Sequence, residues 1–561
     1  MARYIRWQAV IAFSGIALVG LFLVSTTLSR TTVLVPDEGG IYVEGLVGAP
    51  QYVNPLLAGY NPVDRDLVAL IFNGLTRMGS QGEVEPDLAY SWTVSPDGLL
   101  YTFRLRQDVR WSDGDRFDAA DVVFTIGLLQ APDFTDAPQI AELWRTVTVQ
   151  QVDAHTVQFR LREPFPSFLD YTTIGILPEH VLRGVSAHAL RGHLFNSHPV
   201  GTGPFMLTDI SPERVRLVPN PLHFRGQRPY LIGIEFRFYP SYERLLSAYR
   251  AGEVLGISRV PPHLFPEAAA LDTLNLYSTR LAVCHMVYLN LQDADRSPFF
   301  QELRVRRALL AALDRQALID QALNGQGLIA DGPIPPWSWA YQAQPNQVGY
   351  DPAQAQTWLE QARWVDSDGD GIRDKEGRPL RFTLLTDDDP ASVALGQAMA
   401  RQWAAQGIAV TIEPVSAGLG ERLRTHNFQA ALAEVVAIGD PDLYPLWDQT
   451  QIQNGQNYGG WDNRAASEAL EEARRILDRE QRRQLYAEFQ RIFAQEVPAL
   501  FIAYPVYTYA VDQSVHLVQI GPLASASDRF RNIAEWYMHT RRVMMAETKV
   551  TAEATQAPAR H

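Results

Sequence analysis

Residues 88–129, LAYSWTVSPDGLLYTFRLRQDVRWSDGDRFDAADVVFTIGLL, contain the pattern that decides the fold. The centre of this stretch alternates apolar with basic side chains, Tyr101, Phe103 and Leu105 against Arg104 and Arg106. A period of two is typical of a β-strand with one buried face. Residues 96–98, Pro-Asp-Gly, have the side chains that tight turns prefer. We therefore predict a β-hairpin that turns at residues 96–98.

The second half of the stretch predicts a helix. Asp118 occupies an N-cap position, and Asp121 follows three residues later, where its carboxylate can accept hydrogen bonds from the first turn. Val122, Ile126 and Leu129 then recur at helical spacing. The stretch as a whole therefore predicts two strands followed by a helix.

The same stretch resembles the signature of a known family. Its pattern L-A-x-S-W-x-x-S-x-D-G-x-x-Y-T-F-x-L-R-x-x-V-x-W-S-D-G-x-x-F-x-A-x-D-V-V-F is similar to that of bacterial extracellular solute-binding proteins of family 5. These are the oligopeptide- and dipeptide-type receptors of ABC importers. The resemblance implies an α/β, two-lobed periplasmic-binding-protein fold of type II, like that of the large cluster C proteins. It also implies an accessory subdomain in the first lobe and a hinge that closes on the solute.

Two further segments carry the resemblance. Residues 199–205, PVGTGPF, resemble a glycine-rich strand entry of the family, which we interpret as structural. Residues 298–323, PFFQELRVRRALLAALDRQALIDQAL, resemble a family helix. In this segment Val305, Leu309, Ala312, Leu313, Ile319 and Leu323 trace one apolar face, with the arginines opposite.

With the resemblance as a guide, the chain divides into eight segments. They are a membrane anchor or signal peptide (1–30), a linker (31–40), lobe I (41–75, 196–275 and 505–540), the accessory subdomain (76–195), lobe II (276–504) and a disordered tail (541–561).

Composition limits the classes of partner. The formal net charge is −14 and no basic run occurs in the body of the chain, so we expect no nucleic-acid partner. The single cysteine, Cys284, excludes intramolecular disulfides. A length of 561 residues predicts two or three domains. We expect a monomer.

The amino-terminal segment predicts an extracytoplasmic protein. An uncharged apolar run at residues 9–28 follows Arg3 and Arg6 and is long enough to span a bilayer. A tethering transmembrane segment and a cleaved signal are both open interpretations. No cysteine follows the run, so the lipid attachment found in many family members is not expected.

Residues 366–374, DSDGDGIRD, are the most chemistry-like motif. Asp366, Asp368, Asp370, Ile372 and Asp374 occupy the ligand positions of an EF-hand-type calcium loop. The twelfth position is Gly377 instead of a glutamate, and a strand pattern follows instead of a helix. A structural calcium site and a turn stabilised by aspartate side chains are therefore both open, and no other cofactor is expected.

The resemblance also suggests residues of the solute cleft. In peptide receptors of the family, an aspartate shortly before a Gly-Asp-Pro-Asp run holds the amino terminus of the peptide, and Ala437 occupies that position here. Glu434 or Asp440 would then supply the carboxylate. The full set of candidate cleft residues is Asn54, Tyr60, Asn290, Glu434, Asp440, Asn457, Tyr458 and Trp461.

The resulting prediction is a receptor without catalytic residues that delivers a small solute, with an oligopeptide as the leading candidate, to an ABC permease. An oligosaccharide, a metal chelate such as a nickel chelate, and a signalling role remain alternatives within this class. A secreted hydrolase is a remote alternative, since the chain contains neither G-x-S-x-G nor H-E-x-x-H.

Overall fold

The computed structural model describes residues 12–20, 32–79, 82–226, 228–344, 347–436 and 440–544. Residues 12–20 are helical, and the remainder of the predicted anchor or signal lies outside the described residues. Among the described residues, no helix has both the length and the apolar character needed to cross a bilayer.

The strands in chain order are β1 (Thr32–Asp37), β2 (Ile41–Val47), β3 (Thr76–Met78), β4 (Val84–Pro86), β5 (Ala89–Val94), β6 (Leu100–Leu105), β7 (Thr148–Asp153), β8 (Thr156–Arg160), β9 (Phe205–Ile210), β10 (Arg214–Pro219), β11 (Gly233–Tyr239), β12 (Gly256–Ile257), β13 (Leu274–Arg280), β14 (Val283–Leu289), β15 (Gly327–Ile329), β16 (Asp374–Lys375), β17 (Arg378–Pro379), β18 (Arg381–Asp387), β19 (Ala409–Val415), β20 (Ala430–Val436), β21 (Ala499–Asp512) and β22 (His539–Met544).

The α-helices from residue 32 onward are α1 (Pro62–Ile71), α2 (Ala119–Gln130), α3 (Pro138–Thr146), α4 (Glu179–Leu182), α5 (Tyr242–Arg250), α6 (Phe265–Ala269), α7 (Leu303–Ala311), α8 (Arg315–Ala322), α9 (Pro352–Gln361), α10 (Pro390–Ala404), α11 (Leu419–Arg424), α12 (Tyr444–Trp447), α13 (Gln451–Asn454), α14 (Arg464–Ala473) and α15 (Arg479–Glu496).

Two lobes share one long strand. The sheet order is β19-β18-β20-β14-β21-β12-β2-β11-β10-β9, and β13 and β15 also pair with β21. The first half of β21 pairs with β14 and β15 in lobe II, and its second half pairs with β13 and β12 in lobe I. The chain therefore crosses between the lobes near Pro505 and again at Leu281 and Ala282, between β13 and β14. The predicted start of lobe II at residue 276 is too early, because β13 still pairs within lobe I.

Buried side chains pack on both faces of the lobe II sheet. Val287 and Leu289 of β14 contact one apolar cluster, whereas Met286 and Tyr288 contact a second cluster on the opposite face. This follows from the period of two along a strand, and burial of both faces is typical of an α/β sheet. Each lobe thus has its own core, which permits the lobes to move as units about the two crossings.

The accessory subdomain contains a four-stranded antiparallel sheet of order β5-β6-β8-β7. Its β5–β6 pair is the hairpin that the alternating pattern predicts, with Gly98 in the turn at φ +69°. Asp118 caps α2 through a hydrogen bond from the Ala120 N–H, and Asp121 completes the capping box. The sequence prediction for residues 88–129 is confirmed.

The predicted linker and the start of the predicted tail are both structured. β1 lies inside residues 31–40, and it pairs antiparallel with β22, which extends to residue 544. The linker prediction is therefore wrong, and so is the disorder predicted for residues 541–544. The run at residues 32–35 is rich in β-branched side chains and suits a strand, but the pairing that forms it depends on a partner at the far end of the chain. Residues 545–561 lie outside the described residues.

The predicted apolar helix of residues 298–323 is two helices, α7 and α8, separated by a break at which Asp314 caps α8. Two arginines expected on the exposed side, Arg306 and Arg315, are instead buried. The Arg306 guanidinium donates to the carbonyls of Phe300, at 2.8 Å, and Glu496, also at 2.8 Å. Main-chain carbonyls therefore satisfy a charge that helical spacing alone assigns to solvent.

The predicted structural role of the Gly-Thr-Gly-Pro segment has a steric basis. A Cβ on Gly201 would lie 1.9 Å from the carbonyl oxygen of Ile71, at the end of α1. We expect Gly201→Ala to lower the free energy of unfolding by about 2–3 kcal/mol, because the backbone must move away from the helix. Urea denaturation measures the change. Gly192→Ala is the matched control, since its Cβ would meet no atom within 4 Å. Equal stability of the two variants would contradict the prediction.

Candidate ligand-binding cleft

Two adjoining cavities lie between the lobes. The first, the accessory compartment, has a volume of about 620 Å³ and is lined by Ser167, Asp170 and Tyr171 of the accessory subdomain, among others. The second, the hinge compartment, has a volume of about 510 Å³ and is lined by the crossing residues Leu281 and Ala282. Val436, Asp442 and Ala524 line both compartments. The two compartments therefore adjoin, and together they are called the cleft here.

Most charged side chains of the cleft are paired within the protein. The pairs are Asp87 with Arg225 at 2.6 Å, Asp442 with Arg474 at 3.0 Å, Asp528 with Arg531 at 3.7 Å, Arg77 with Glu85 at 2.8 Å, and Asp440 with Arg482. The arginines of these pairs come from both lobes. Paired charges fix the shape of the cleft wall and leave few groups to recognise a charged ligand.

Residues 440 and 441, which lie on the chain after β20, are held by α15. Arg482 donates from both terminal nitrogens to the two carboxylate oxygens of Asp440, and its Nε donates to the Ala473 carbonyl at 3.0 Å. The Tyr486 hydroxyl donates to the carbonyl of Pro441. These contacts hold residues 440–441 against the lobe II core, so that Asp440 presents its backbone to lobe I.

Among the described residues, four of the carboxylates that line the accessory compartment have an arginine nitrogen within 4.0 Å. Asp170 also lines this compartment and has no arginine, lysine or histidine nitrogen within that distance. Its Oδ2 accepts a hydrogen bond from the backbone N–H of Asp440 at 3.0 Å, which joins the accessory subdomain to lobe II. Burial raises the pKa of Asp170 to about 7. The repulsion from Asp440 acts in the same direction, whereas the hydrogen bond and Arg482 act against it.

This pKa predicts a pH dependence of stability. Because the folded-state pKa of Asp170 exceeds its unfolded value, the folded protein retains the proton between about pH 4 and pH 7. The contribution of Asp170 to stability is therefore complete below about pH 4 and is lost as the pH rises through about 7. Thermal unfolding measures this effect as the decrease in Tm between about pH 5 and about pH 8. The decrease should be smaller for Asp170→Asn than for the unmodified chain. An equal decrease would contradict the prediction.

The hinge compartment contains a guanidinium stacked on an aromatic ring. Arg280, the last residue of β13, lies over the ring of Trp337 at 4.5 Å, and Trp337 packs edge-on against Tyr504 at 4.8 Å. Arg479 lies over Trp339 at 4.6 Å. Neither arginine has a carboxylate within 4.0 Å in the described part of the chain. These two guanidiniums line the hinge compartment together with the carboxylates of Glu83 and Asp442.

The lobes also contact each other outside the cleft. Arg475 of lobe II pairs with Glu163 of the accessory subdomain at 3.0 Å, and Arg474 lies 4.9 Å from the ring centroid of Phe165. Near the crossings, Asn324 donates to the Pro262 carbonyl at 2.8 Å. These contacts join lobe II to the accessory subdomain and to lobe I.

Only one of the predicted cleft residues, Asp440, lines these compartments. Asn290, Asn457 and Trp461 are buried and bonded within lobe II. Asn290 lies beyond the end of β14 that is farther from the crossings, and its Nδ2 donates to the carbonyls of His426 and Phe428. These three side chains stabilise turns and the lobe II core rather than contacting the cleft.

The other predicted residues lie in varied surroundings. Asn54 is buried, and its Oδ1 accepts a hydrogen bond from Leu56 N–H at 3.0 Å. Tyr60 is 81% exposed. Tyr458 packs edge-on against Tyr288 at 5.5 Å. Glu434 lies half-exposed on β20, with its Oε1 3.9 Å from His285 Nε2. Ala437 lies outside the described residues.

Sequence reasoning did not identify Asp170, Arg280, Trp337 or Arg482. No motif distinguishes Arg482 from the other arginines of α15, and burial of its side chain depends on packing against the segment after β20. Asp170 belongs to the accessory subdomain, and no residue of this subdomain was predicted to line the cleft. The sequence therefore lacks a local signal for these residues.

The loop of residues 366–374 is largely exposed, and none of its residues lines either compartment. The carboxylates of Asp366, Asp368 and Asp370 offer oxygens within 4.8 Å of one another. Both oxygens of Asp366 accept backbone N–H groups, from Gly369 and Gly371. The Asp374 carboxylate is hydrogen-bonded to Ser367. The three clustered carboxylates are close enough to share a small cation. The hydrogen bonds of Asp366 and Asp374 are those of a turn that needs no ion.

Comparison with known proteins places this architecture in a family. The family model described as bacterial extracellular solute-binding proteins, family 5 Middle, matches residues 83–457. The oligopeptide-binding protein AppA of Bacillus subtilis (strain 168) is 28% identical over 516 residues, which cover 90% of this chain and 92% of AppA.

Solved structures agree with this placement. The structure of Bacillus subtilis AppA in complex with a nonapeptide has a TM-score of 0.76 and 26% identity, and the match covers 90% of this chain and 100% of AppA. NikZ from Campylobacter jejuni, in complex with Ni(L-His), has the same fold with a TM-score of 0.76, 24% identity and coverage of 89% and 99%. The two-lobed α/β fold, the cleft between the lobes and the match over most of the chain lead to one conclusion. The chain belongs to the bacterial extracellular solute-binding proteins of family 5, and it is an extracytoplasmic receptor rather than an enzyme.

Proposed function

We propose that this receptor binds peptides in the cleft between its lobes and delivers them to an ABC permease. The observation that carries the proposal is the size of the cleft, in which two adjoining compartments of about 620 and 510 Å³ extend from the accessory subdomain to the hinge. Pockets for a single small ligand occupy about 300–1,000 Å³. A cleft of this extent fits an extended ligand, and AppA of Bacillus subtilis has been solved with a nonapeptide.

The mechanism is closure coupled to binding. Val436 and Asp440 of lobe II and Asp170 of the accessory subdomain line the same compartment, so a ligand between them contacts both lobes. Contacts that exist only when the lobes meet favour the closed state. A ligand of micromolar affinity supplies about 8 kcal/mol. When these contacts exist mainly in the closed form, this amount suffices to shift an open–closed equilibrium from one state almost completely to the other.

We extend the proposal to the arrangement at the membrane. The apolar run at residues 9–28 supports tethering by the amino-terminal segment, with signal cleavage as the alternative. The net charge of −14 supports a receptor that has no nucleic-acid partner and acts as a monomer beside its permease. Fractionation of cells that express the full chain distinguishes a membrane-bound product from a released one.

The binding step requires no cofactor. For residues 366–374 we propose an ion-free turn whose alternative is a structural calcium site, since the carboxylates of Asp366 and Asp374 already accept hydrogen bonds within the loop and Gly377 stands where an EF-hand has glutamate. Thermal unfolding of the full chain with Ca²⁺ or with a chelator tests this role. A Tm that does not depend on Ca²⁺ would favour the ion-free turn.

Native mass spectrometry of the full chain, purified in mild detergent without denaturation, tests the peptide proposal. Co-purified masses that differ by amino-acid residues would support a peptide receptor of broad sequence preference. A single mass of a sugar or of a metal chelate would instead contradict the choice of peptide and leave the receptor class unchanged. Addition of a defined peptide mixture to the emptied protein provides the control for ligands lost during purification.

A further inference from the structure

The accessory subdomain and lobe I share one apolar core. Phe103 of the accessory subdomain belongs to the same buried cluster as Tyr42 and Phe236 of lobe I, and the Asp87–Arg225 pair at 2.6 Å joins the same two parts. Lobe II has apolar clusters of its own. Because a packed core resists internal displacement, opening at the crossings would move the accessory subdomain together with lobe I and away from lobe II.

The loop between α14 and α15, residues 474–478, spans the boundary between these two bodies. Arg475 Nε lies 3.0 Å from Glu163 Oε2 of the accessory subdomain. Leu477 packs on the turn of the β5–β6 hairpin, where a Cβ on Gly98 would lie 2.9 Å from Leu477 Cδ2. The positive φ of +69° favours glycine at that turn position, and glycine leaves the space that the leucine occupies. The loop therefore contacts the accessory subdomain through both an ion pair and an apolar contact.

Arg474 connects this loop with the wall of the cleft. Its guanidinium lies 4.9 Å from the ring centroid of Phe165 in the accessory subdomain and 4.7 Å from that of Tyr444 in lobe II. One of its terminal nitrogens lies 3.0 Å from Asp442 Oδ2, and Asp442 lines both compartments. A displacement of the cleft wall at Asp442 would thus act on the contact between Arg474 and Phe165.

A hydrogen bond adds a fourth contact between the two bodies. The Asp440 N–H of lobe II donates to Asp170 Oδ2 of the accessory subdomain at 3.0 Å. Since the donor and the acceptor belong to different bodies, this bond breaks whenever lobe II moves away from the accessory subdomain.

We propose that the accessory subdomain is a latch that holds lobe II against lobe I. The latch residues are Gly98, Glu163, Phe165 and Asp170 of the accessory subdomain and Asp440, Arg474, Arg475 and Leu477 of lobe II. The inference goes beyond the proposed binding of peptides, since the latch acts on a solute of any class. Loosening it should speed the release of every ligand by a similar factor, because opening precedes release.

Hydrogen–deuterium exchange of the full chain in mild detergent, without an added ligand, tests the latch. The Asp440 amide exchanges when its bond to Asp170 opens, so its exchange rate reports the equilibrium between the latched and the open form. Arg475→Glu places a second carboxylate beside Glu163 and should raise this rate by about 3- to 10-fold. Leu477→Ser should raise it by a similar factor. The amides of β14 and β20 should exchange as in the unmodified chain, because lobe II stays folded.

Reversal of both charges distinguishes the latch from a general loss of stability. Glu163→Arg combined with Arg475→Glu should restore the Asp440 rate to within about 2-fold of the unmodified chain. Two charge-matched controls should leave that rate unchanged. They are Arg483→Glu, whose arginine lies 3.6 Å from Glu480 within α15, and Glu142→Arg on the exposed surface of α3.

An Asp440 amide that exchanges equally fast in the unmodified chain, in Arg475→Glu and in Leu477→Ser would overturn the latch. So would a charge reversal that restores nothing. The measurement uses no peptide, so either result leaves the peptide proposal standing. A co-purified solute of another class would instead contradict the peptide proposal and leave the latch intact.

Discussion

Arg529→Leu is expected to lower the free energy of unfolding by about 3–5 kcal/mol. The Arg529 guanidinium is 1% exposed and donates to Glu44 Oε1 at 2.7 Å and to Asp66 Oδ1 at 2.7 Å. Leucine would leave two buried carboxylates without a counter-charge. Burial already raises the pKa of Glu44, and Arg529 is the main opposing influence. Denaturation in urea, followed by circular dichroism, measures the loss.

The charges rather than the side-chain volume should account for this loss. In the Arg529→Leu background, Glu44→Gln with Asp66→Asn removes both uncompensated carboxylates, and part of the stability should return. Arg191→Leu is the matched control, since Arg191 pairs with a single carboxylate, Asp136, and its side chain is 58% exposed. The control should change stability by no more than about 1 kcal/mol. An equal effect of Arg191→Leu and Arg529→Leu would refute the explanation.

Arg529 also connects the core of lobe I to the wall of the cleft. The neighbouring residues Asp528, Phe530 and Arg531 line the accessory compartment, and Ser527 donates to Asp66 at 2.7 Å. Loss of the ion group should therefore loosen this wall as well as the core. At a temperature where Arg529→Leu remains folded, we expect weaker peptide binding than in the Arg191→Leu control.

Arg482→Met is expected to weaken peptide binding by about 10- to 100-fold and to cost about 2–3 kcal/mol of stability. The substitution removes both hydrogen bonds to Asp440 and leaves the carbonyl of Ala473 without its donor. Residues 440–441 then keep only the Tyr486 hydrogen bond to Pro441 as their attachment to α15, so the backbone N–H that binds Asp170 is positioned less firmly. Calorimetry with a peptide that binds the unmodified chain measures the affinity, and urea denaturation measures the stability.

Arg483→Met provides the control for this experiment. Arg483 follows Arg482 in α15, is about half-exposed and lies 3.6 Å from Glu480. It has the same helix propensity and charge as Arg482 but does not touch the cleft segment, so its substitution should leave binding almost unchanged. If Arg482→Met unfolds no more easily than Arg483→Met and binds peptide normally, the segment after β20 is positioned by other contacts.

Local patterns determined the elements that depend on neighbours in sequence. The hairpin of β5 and β6 and the capped helix α2 follow from strand alternation, turn residues and the Asp118–Asp121 pair, and all of these act within a few residues. The family resemblance of the same stretch then determined the two-lobed fold, since a long motif with fixed spacing is specific to one architecture. The receptor class follows from this resemblance and is shared with the family relatives.

Tertiary structure alone decided which charged residues face the cleft. Asn290 and Trp461 matched the family pattern, yet their side chains are bonded within lobe II, and Arg306 is buried where helical spacing placed it in solvent. β1 likewise exists because its partner β22 lies near the opposite end of the chain. In the described part of the chain, the cleft carboxylates of Asp87, Asp440 and Asp442 are each paired with an arginine from a remote segment, whereas Asp170 accepts the Asp440 N–H and has no arginine within 4.0 Å. The pairing of charges depends on distances between segments remote in the chain, and the sequence does not contain those distances in any local pattern.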